Sequence, residues 1–177
     1  MQISPFIVNQ PYNHFNETIP VMHERSKLTE ARHFLDRMHA EHDNPATFAL
    51  ELSAFLGAAR SILQYARMEA ALKQGGQQWY DQAMANPLFG FFKDLRDNSI
   101  HKMPVRPRIK MKTEVAGFLN IGDDDDEMLI PYPHDTIVQQ YEFHDRPGDE
   151  VTNLSRQYLI ALECFVEDGI AIGWITG

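Results

Sequence analysis

The chain has one cysteine, Cys164, in 177 residues. That excludes an internal disulfide framework and a cysteine-built zinc knuckle, and it fits a reducing, cytoplasmic setting. No run approaches the eighteen or so apolar residues of a bilayer-spanning helix, so no membrane segment is expected. The opening stretch, MQISPFIVNQPYNHFNETIP, has no basic segment followed by an apolar one, so no secretory leader is expected either. Internal repeats are absent, and the only biased stretch is one acidic run. Positive charge is scarce: 16 Lys and Arg face 25 Asp and Glu, and the net charge of −9 argues against generalised coating of nucleic acid. What remains is an ordinary globular composition, 44% hydrophobic and 23% charged, long enough to bury a core as one domain over residues 1–177.

The few positive charges are concentrated. Between Lys93 and Lys112 lie Lys93, Arg96, Lys102, Arg106, Arg108, Lys110 and Lys112, against only Asp94 and Asp97. This net +5 leaves −14 on the rest of the chain, and the run Asp123, Asp124, Asp125, Asp126 and Glu127 supplies five of those negatives. Such segregation suits a phosphate-bearing ligand, or two solvated loops of opposite sign that face each other.

Pro5, Pro11 and Pro20 make residues 1–24 an irregular N-terminal arm. Residues 25–102 read as helical. Ser26 is the expected N-cap of a first helix carrying Leu28, Ala31, Leu35 and Met38 at helical spacing. Asn44-Pro45 reads as the N-cap and first position of a second helix, whose stripe is Phe48, Leu52, Phe55, Leu56, Ala59, Ile62, Leu63 and Ala66. Gly75-Gly76 is expected to terminate it. A short helix over Trp79–Ala85 precedes a second Asn-Pro device, Asn86-Pro87, which opens a helix with Leu88, Phe91, Phe92 and Leu95 on one side. That helix is expected to weaken after Arg96.

Residues 103–146 form a β-insertion, with strands over Arg108–Asn120, Met128–Tyr132 and Ile137–Phe143 and a hairpin loop at Gly122 and the acidic run 123–127. Pro147-Gly148-Asp149 is expected to start the last helix, 149–168, with Val151, Leu154, Tyr158, Leu162 and Phe165 inward and Gly169 ending it. The tail IAIGWITG reads as a short strand or a packed extension. The expected fold is mainly α, an up-and-down bundle of about four helices with a small antiparallel β-insertion before the last, α+β overall.

Chemistry concentrates in Arg96-Asp97-Asn98-Ser99-Ile100-His101. An imidazole at His101 titrates near neutrality and can take a proton from a ribose hydroxyl or return one to a leaving oxygen. A guanidinium at Arg96 can hold two phosphate oxygens and stabilise a phosphorane. Asp97, Asn98 and Ser99 can orient the imidazole or bond the ribose. On an unbroken helix the offset from Arg96 to His101 turns the positions about 140° apart and about 7.5 Å along the axis. Convergence within one chain therefore requires the helix to end or kink between them.

FFKDLRDNSIH resembles the R-x4-H signature of HEPN domains, arginine followed by a polar residue and, further on, histidine. The likeness covers residues of about 26–102 and 149–168, just over half the chain. Similarity to that superfamily implies a small, often dimeric helical bundle, in many members a metal-independent RNase of toxin–antitoxin or defence systems. It implies catalytic Arg96 and His101, with Asp97 as the polar residue, and two motifs facing each other across a dimer axis. Asn98, Ser99, Lys102 and Arg60 are candidate substrate-binding residues. RNA or a nucleotide, a homodimer partner and an antitoxin-type protein are the implied partners, and the chemistry requires neither cofactor nor metal. A non-catalytic HEPN-like module binding a nucleotide or protein is the alternative. Arg37 to His42 repeats the spacing, but only the later match has a polar residue after its arginine, ends an aromatic-rich helix and lies in the basic region.

Other groups bear watching. His33, Asp36, His39 and His42 are spaced so that two or three can meet a metal on one helix face. Arg60, inside the second helix, needs a carboxylate such as Glu163 or Glu167, or a phosphate in the cleft of Arg96. Trp79, Tyr80, Phe89, Phe91 and Phe92 are core aromatics or base-stacking groups. Tyr132 and Tyr141 in the insertion are candidate partner- or RNA-gripping residues, and Cys164 is expected to be an inert core residue.

Overall fold

The computed structural model describes residues 23–101, 105–115, 118–120, 129–131 and 135–177. The helices are α1 (His23–Ala40), α2 (Pro45–Ala70), α3 (Gly76–Met84), α4 (Pro87–His101) and α5 (Val151–Ala171). Five short strands stand between α4 and α5: β1 (Arg108–Val115), β2 (Phe118–Asn120), β3 (Leu129–Pro131), β4 (Asp135–Phe143) and β5 (Arg146–Glu150). The fold is mainly α with a small antiparallel β part before the last helix, as the hydrophobic periodicity predicts.

The α2 stripe explains the assembly. Every one of its eight predicted apolar positions is buried. On α1, Leu28, Ala31, Leu35 and Met38 all face inward against it. On α5, Val151, Leu154, Tyr158, Leu162 and Phe165 do the same. α2 touches every other helix, and its most extensive contact is with its antiparallel neighbour α1. Among the described residues α2 is also the one helix long and apolar enough to cross a membrane by length and composition. Its apolar stripe is occupied by its neighbours here, so it serves as the central core helix.

Both Asn-Pro devices work as the sequence indicates. The Asn44 side chain accepts from the Thr47 N–H at 3.3 Å with Pro45 following, and Asn86 Oδ1 accepts from the Leu88 N–H at 2.9 Å ahead of α4. Other boundaries move. Ser26 is not the N-cap: α1 already runs at His23, with the acidic Glu24 in its first turn. Gly75-Gly76 does not terminate α2, which ends at Ala70. Gly75, at φ +89°, caps α3, and a Cβ on Gly76 would lie 2.0 Å from the Ala70 carbonyl oxygen.

Pro147-Gly148-Asp149 does not start the last helix; these residues belong to β5, and α5 begins at Val151. Gly169 lies within α5 instead of ending it, because a Cβ there would meet the Trp79 ring at 2.8 Å. The terminating glycine is Gly173, at φ +81°, while the Trp174 N–H bonds back to the Gly169 carbonyl at 2.8 Å. The tail is a packed extension. Ile175 is buried, Lys73 donates to the carbonyls of Gly173 and Trp174, and Glu69 accepts from the Thr176 N–H and hydroxyl.

The main sheet has order β1-β4-β5, with Arg108 opposite Glu142 and Val115 opposite Asp135; β2 and β3 pair separately, Asn120 opposite Leu129. The acidic run 123–127 and Tyr132 lie outside the described residues. Tyr141 is fully buried, which corrects its reading as a gripping residue. Most of the helical aromatics are core as well. Phe92 stacks on Tyr158 with centroids 4.1 Å apart, Trp79 stacks on Phe165, and Phe89 meets both Tyr158 and Phe165 edge-on. Cys164, by contrast, is exposed on α5 rather than sealed in the core.

Candidate functional site

The last two turns of α4 and strand β1 display the basic segment. Arg96 is half-buried and forms no hydrogen bond or ion pair among the described residues. Its neighbour Asp97 is spoken for: its carboxylate lies 3.6 Å from Lys93 Nζ one turn back, and Asp94 lies 3.7 Å from the same ammonium. Asn98 is exposed and Ser99 half-buried. The other arginine with the R-x4-H spacing differs in kind, since Arg37 is held by Glu51 at 3.1 Å and Glu41 at 3.4 Å. Arg96 is thus the arginine of the two that retains capacity for an anion.

α4 runs without a break from Pro87 to His101. It does not end soon after Arg96, contrary to the expectation that the helix would weaken there. The positions of Arg96 and His101 are accordingly turned about 140° apart and separated by about 7.5 Å along the axis. The His101 side chain and all of Lys102 lie outside the described residues.

On β1 the side chains alternate, so Arg108, Lys110 and Lys112 share one face while Ile109 and Met111 occupy the other. Arg106, Arg108 and Lys110 are exposed. Lys110 donates to Glu142 at 3.1 Å, and that bond is the chief reason the Glu142 carboxyl sits below its usual range; partial burial opposes it, and the Gly148 N–H and Arg108 assist. Glu142 is covered by its neighbours' side chains but is not deep in the interior. Arg106 and Arg108 have no ion pair among the described residues. The result is an edge strand laced with cations, which discourages strand addition and presents charge to a polyanion.

Arg60 is placed elsewhere. Glu163 and Glu167, its expected partners, are taken by Arg32 and Arg25 of α1. Arg60 lines a groove of about 560 Å³ between α2 and α3 with Gln64, Tyr65, Arg67, Gln77 and Tyr80, and Arg96 is not part of that lining. Sequence reasoning missed Arg67, although its offset of seven residues from Arg60 puts both on one face of α2.

The histidine set on α1 disperses. His33 packs on Phe34, His39 meets the Arg156 guanidinium, and His42 stands edge-on to Phe48 and Tyr141. Among the described residues no three His, Cys, Asp or Glu side chains gather as a metal site.

The geometry therefore defines a helical bundle with an exposed cationic strip at the α4–β1 junction and a separate arginine groove on α2. The chain matches no known family model, no curated protein and no solved structure.

Proposed function

We propose that the chain is a cytoplasmic, HEPN-like protein that cuts RNA without metal, as a toxin or defence component. The observation that carries this reading is Arg96, half-buried with no anionic partner among the described residues, in a twenty-residue segment of net charge +5. A guanidinium so placed attracts a phosphodiester and stabilises the extra negative charge of a phosphorane. In the proposed step the ribose 2′-oxygen bonds to the adjacent phosphorus as the bond to the 5′-oxygen breaks. His101 takes the 2′-hydroxyl proton and returns it to the 5′-oxygen as that oxygen leaves. The products are a 2′,3′-cyclic phosphate and a 5′-hydroxyl.

Asp97 does not need to orient the imidazole in this scheme, because Lys93 engages it. Asn98, Ser99 and Lys102 are left for the ribose and the neighbouring phosphate. The angular separation of Arg96 and His101 on one continuous helix makes a homodimer part of the proposal. A two-fold pairing of α4 ends presents Arg96 of one protomer beside His101 of the other.

The unbroken α4 also favours a second reading, a non-catalytic module that binds a nucleotide or an antitoxin-type protein at the same strip. Cleavage of a mixed RNA pool in EDTA separates the two, with Arg96→Ala and His101→Ala beside the parent. The nuclease reading expects cutting by the parent alone, with 2′,3′-cyclic phosphate ends, and restoration when the two inactive variants are mixed as heterodimers. Equal inactivity of all three proteins leaves the binding module.

A further inference from the structure

We infer that the α2–α3 groove is a second anion site, in which Arg60 and Arg67 hold the phosphate of a phosphate monoester. Among the described residues only two buried side-chain polar atoms lack a hydrogen-bond partner, and one of them is Arg60 Nε. The residue as a whole is only half-buried and has no ion pair among the described residues, so its charge is left to an acceptor that enters from the groove. The carboxylates expected to hold Arg60 are already taken, since Glu163 and Glu167 pair with α1. Tyr158 cannot supply the missing charge. Its hydroxyl is pushed well above the usual phenol range by burial, against the opposing pull of Arg60, and stays neutral.

The rest of the groove suits an oxyanion. Arg60 remains partly exposed into it, and Arg67, seven residues on and about 10.5 Å along the axis, is exposed on the same face. Two long guanidinium side chains at that spacing can close on one group from either side. A phosphate monoester offers three terminal oxygens to two planar forks, whereas a carboxylate has two oxygens and satisfies one fork. The groove volume of about 560 Å³ leaves room for the group that carries the phosphate, alongside Tyr65 and Met68. Since Arg96 does not line this groove, the site is independent of RNA cutting at the α4–β1 strip.

The test is thermal unfolding of the full chain in inorganic phosphate against chloride at equal ionic strength, for the parent, Arg60→Met and Arg67→Gln. Arg60→Met keeps the stem volume and removes the unpaired charge, so it melts at or above the parent's temperature in chloride. Phosphate at tenfold excess over its dissociation constant raises the parent's midpoint by roughly 3–6 °C beyond the general salting effect. Both variants lose that increment, while Arg37→Gln, whose guanidinium Glu41 and Glu51 already hold, keeps it. An equal rise in all the proteins, or none in the parent, overturns the site. Should Arg60→Met fail to fold, Arg67→Gln, altered only at an exposed position, decides the question alone.

Discussion

The ring of Tyr141 lies flat against Phe48, with centroids 3.8 Å apart and planes 11° from parallel, and its hydroxyl donates to the His42 carbonyl at 2.8 Å. One strand residue thereby fastens the sheet to the turn between α1 and α2. Tyr141→Phe keeps the stack and strands the carbonyl, at a cost of about 1 kcal/mol. Tyr141→Ala removes the stack as well and costs about 3–5 kcal/mol. Urea unfolding checks both values, and a loss for the alanine variant no larger than for phenylalanine would mean that the sheet is not held at this point.

Gly169 faces Trp79 so closely that an added Cβ would lie 2.8 Å from two ring atoms and 2.9 Å from Ile175. Trp79 cannot back away easily, because its other contact is the parallel stack on Phe165 at 4.8 Å. Gly169→Ala gains about 1 kcal/mol of helix propensity and loses about 1–3 kcal/mol to overpacking. With the ring pinned, the loss falls at the upper end, and the expected net effect is destabilisation of about 1–2 kcal/mol. A variant more stable than the parent in urea would show that the ring has room to move.

Two carboxylates give the fold opposite responses to pH. Burial, helped by the nearby charge of Glu69, raises Glu24 above its ordinary 4.5. Its protonated form is the one the fold prefers, so its contribution is present below 4.5 and is lost as pH rises through the folded value. Glu24→Gln therefore gains on the parent at neutral pH and converges with it below that point. Glu142 is lowered by its bond from Lys110, so its contribution is present above 4.5 and is lost as pH falls through the folded value. Glu142→Gln should melt below the parent at neutral pH and converge in acid. Thermal midpoints from pH 3 to 8 check the pair, and shifts of the same sign for both would contradict the assignment.

The core was legible in the sequence because apolar periodicity is a repeated signal. Eight α2 positions from Phe48 to Ala66 agree on one face, and a single wrong residue would not obscure them. Element ends rest on single residues, and there local signals compete. Ser26 has the chemistry of an N-cap, yet α1 is already under way at His23, three residues earlier in the chain, with the acidic Glu24 in its first turn. Gly169 looks like a stop, but tertiary contact with Trp79 sets its identity. Pro147-Gly148 looks like a helix start, but pairing of Glu150 with Glu142 claims it for β5. The basic strip was visible as composition. The fate of each charge was not, since the pairing of Asp97 with Lys93, and of Glu163 and Glu167 with α1, depends on which groups the fold brings together.

Salt dependence tests the strip as an RNA surface without relying on cleavage. Each phosphate neutralised on a single strand contributes about −0.7 to the slope of log affinity against log salt. Arg106 and Arg108 are exposed and have no ion pair among the described residues, so both are available to phosphates. Arg37 is not, because Glu41 and Glu51 already hold it. In a His101→Ala background, which keeps the RNA intact, Arg106→Gln and Arg108→Gln should each flatten the slope by about 0.7, and Arg37→Gln should leave it unchanged. Filter binding of a labelled single strand from 50 to 300 mM salt gives the three slopes. Equal slopes for all would remove β1 from the interface, and a flattening by Arg37→Gln alone would move the interface to α1.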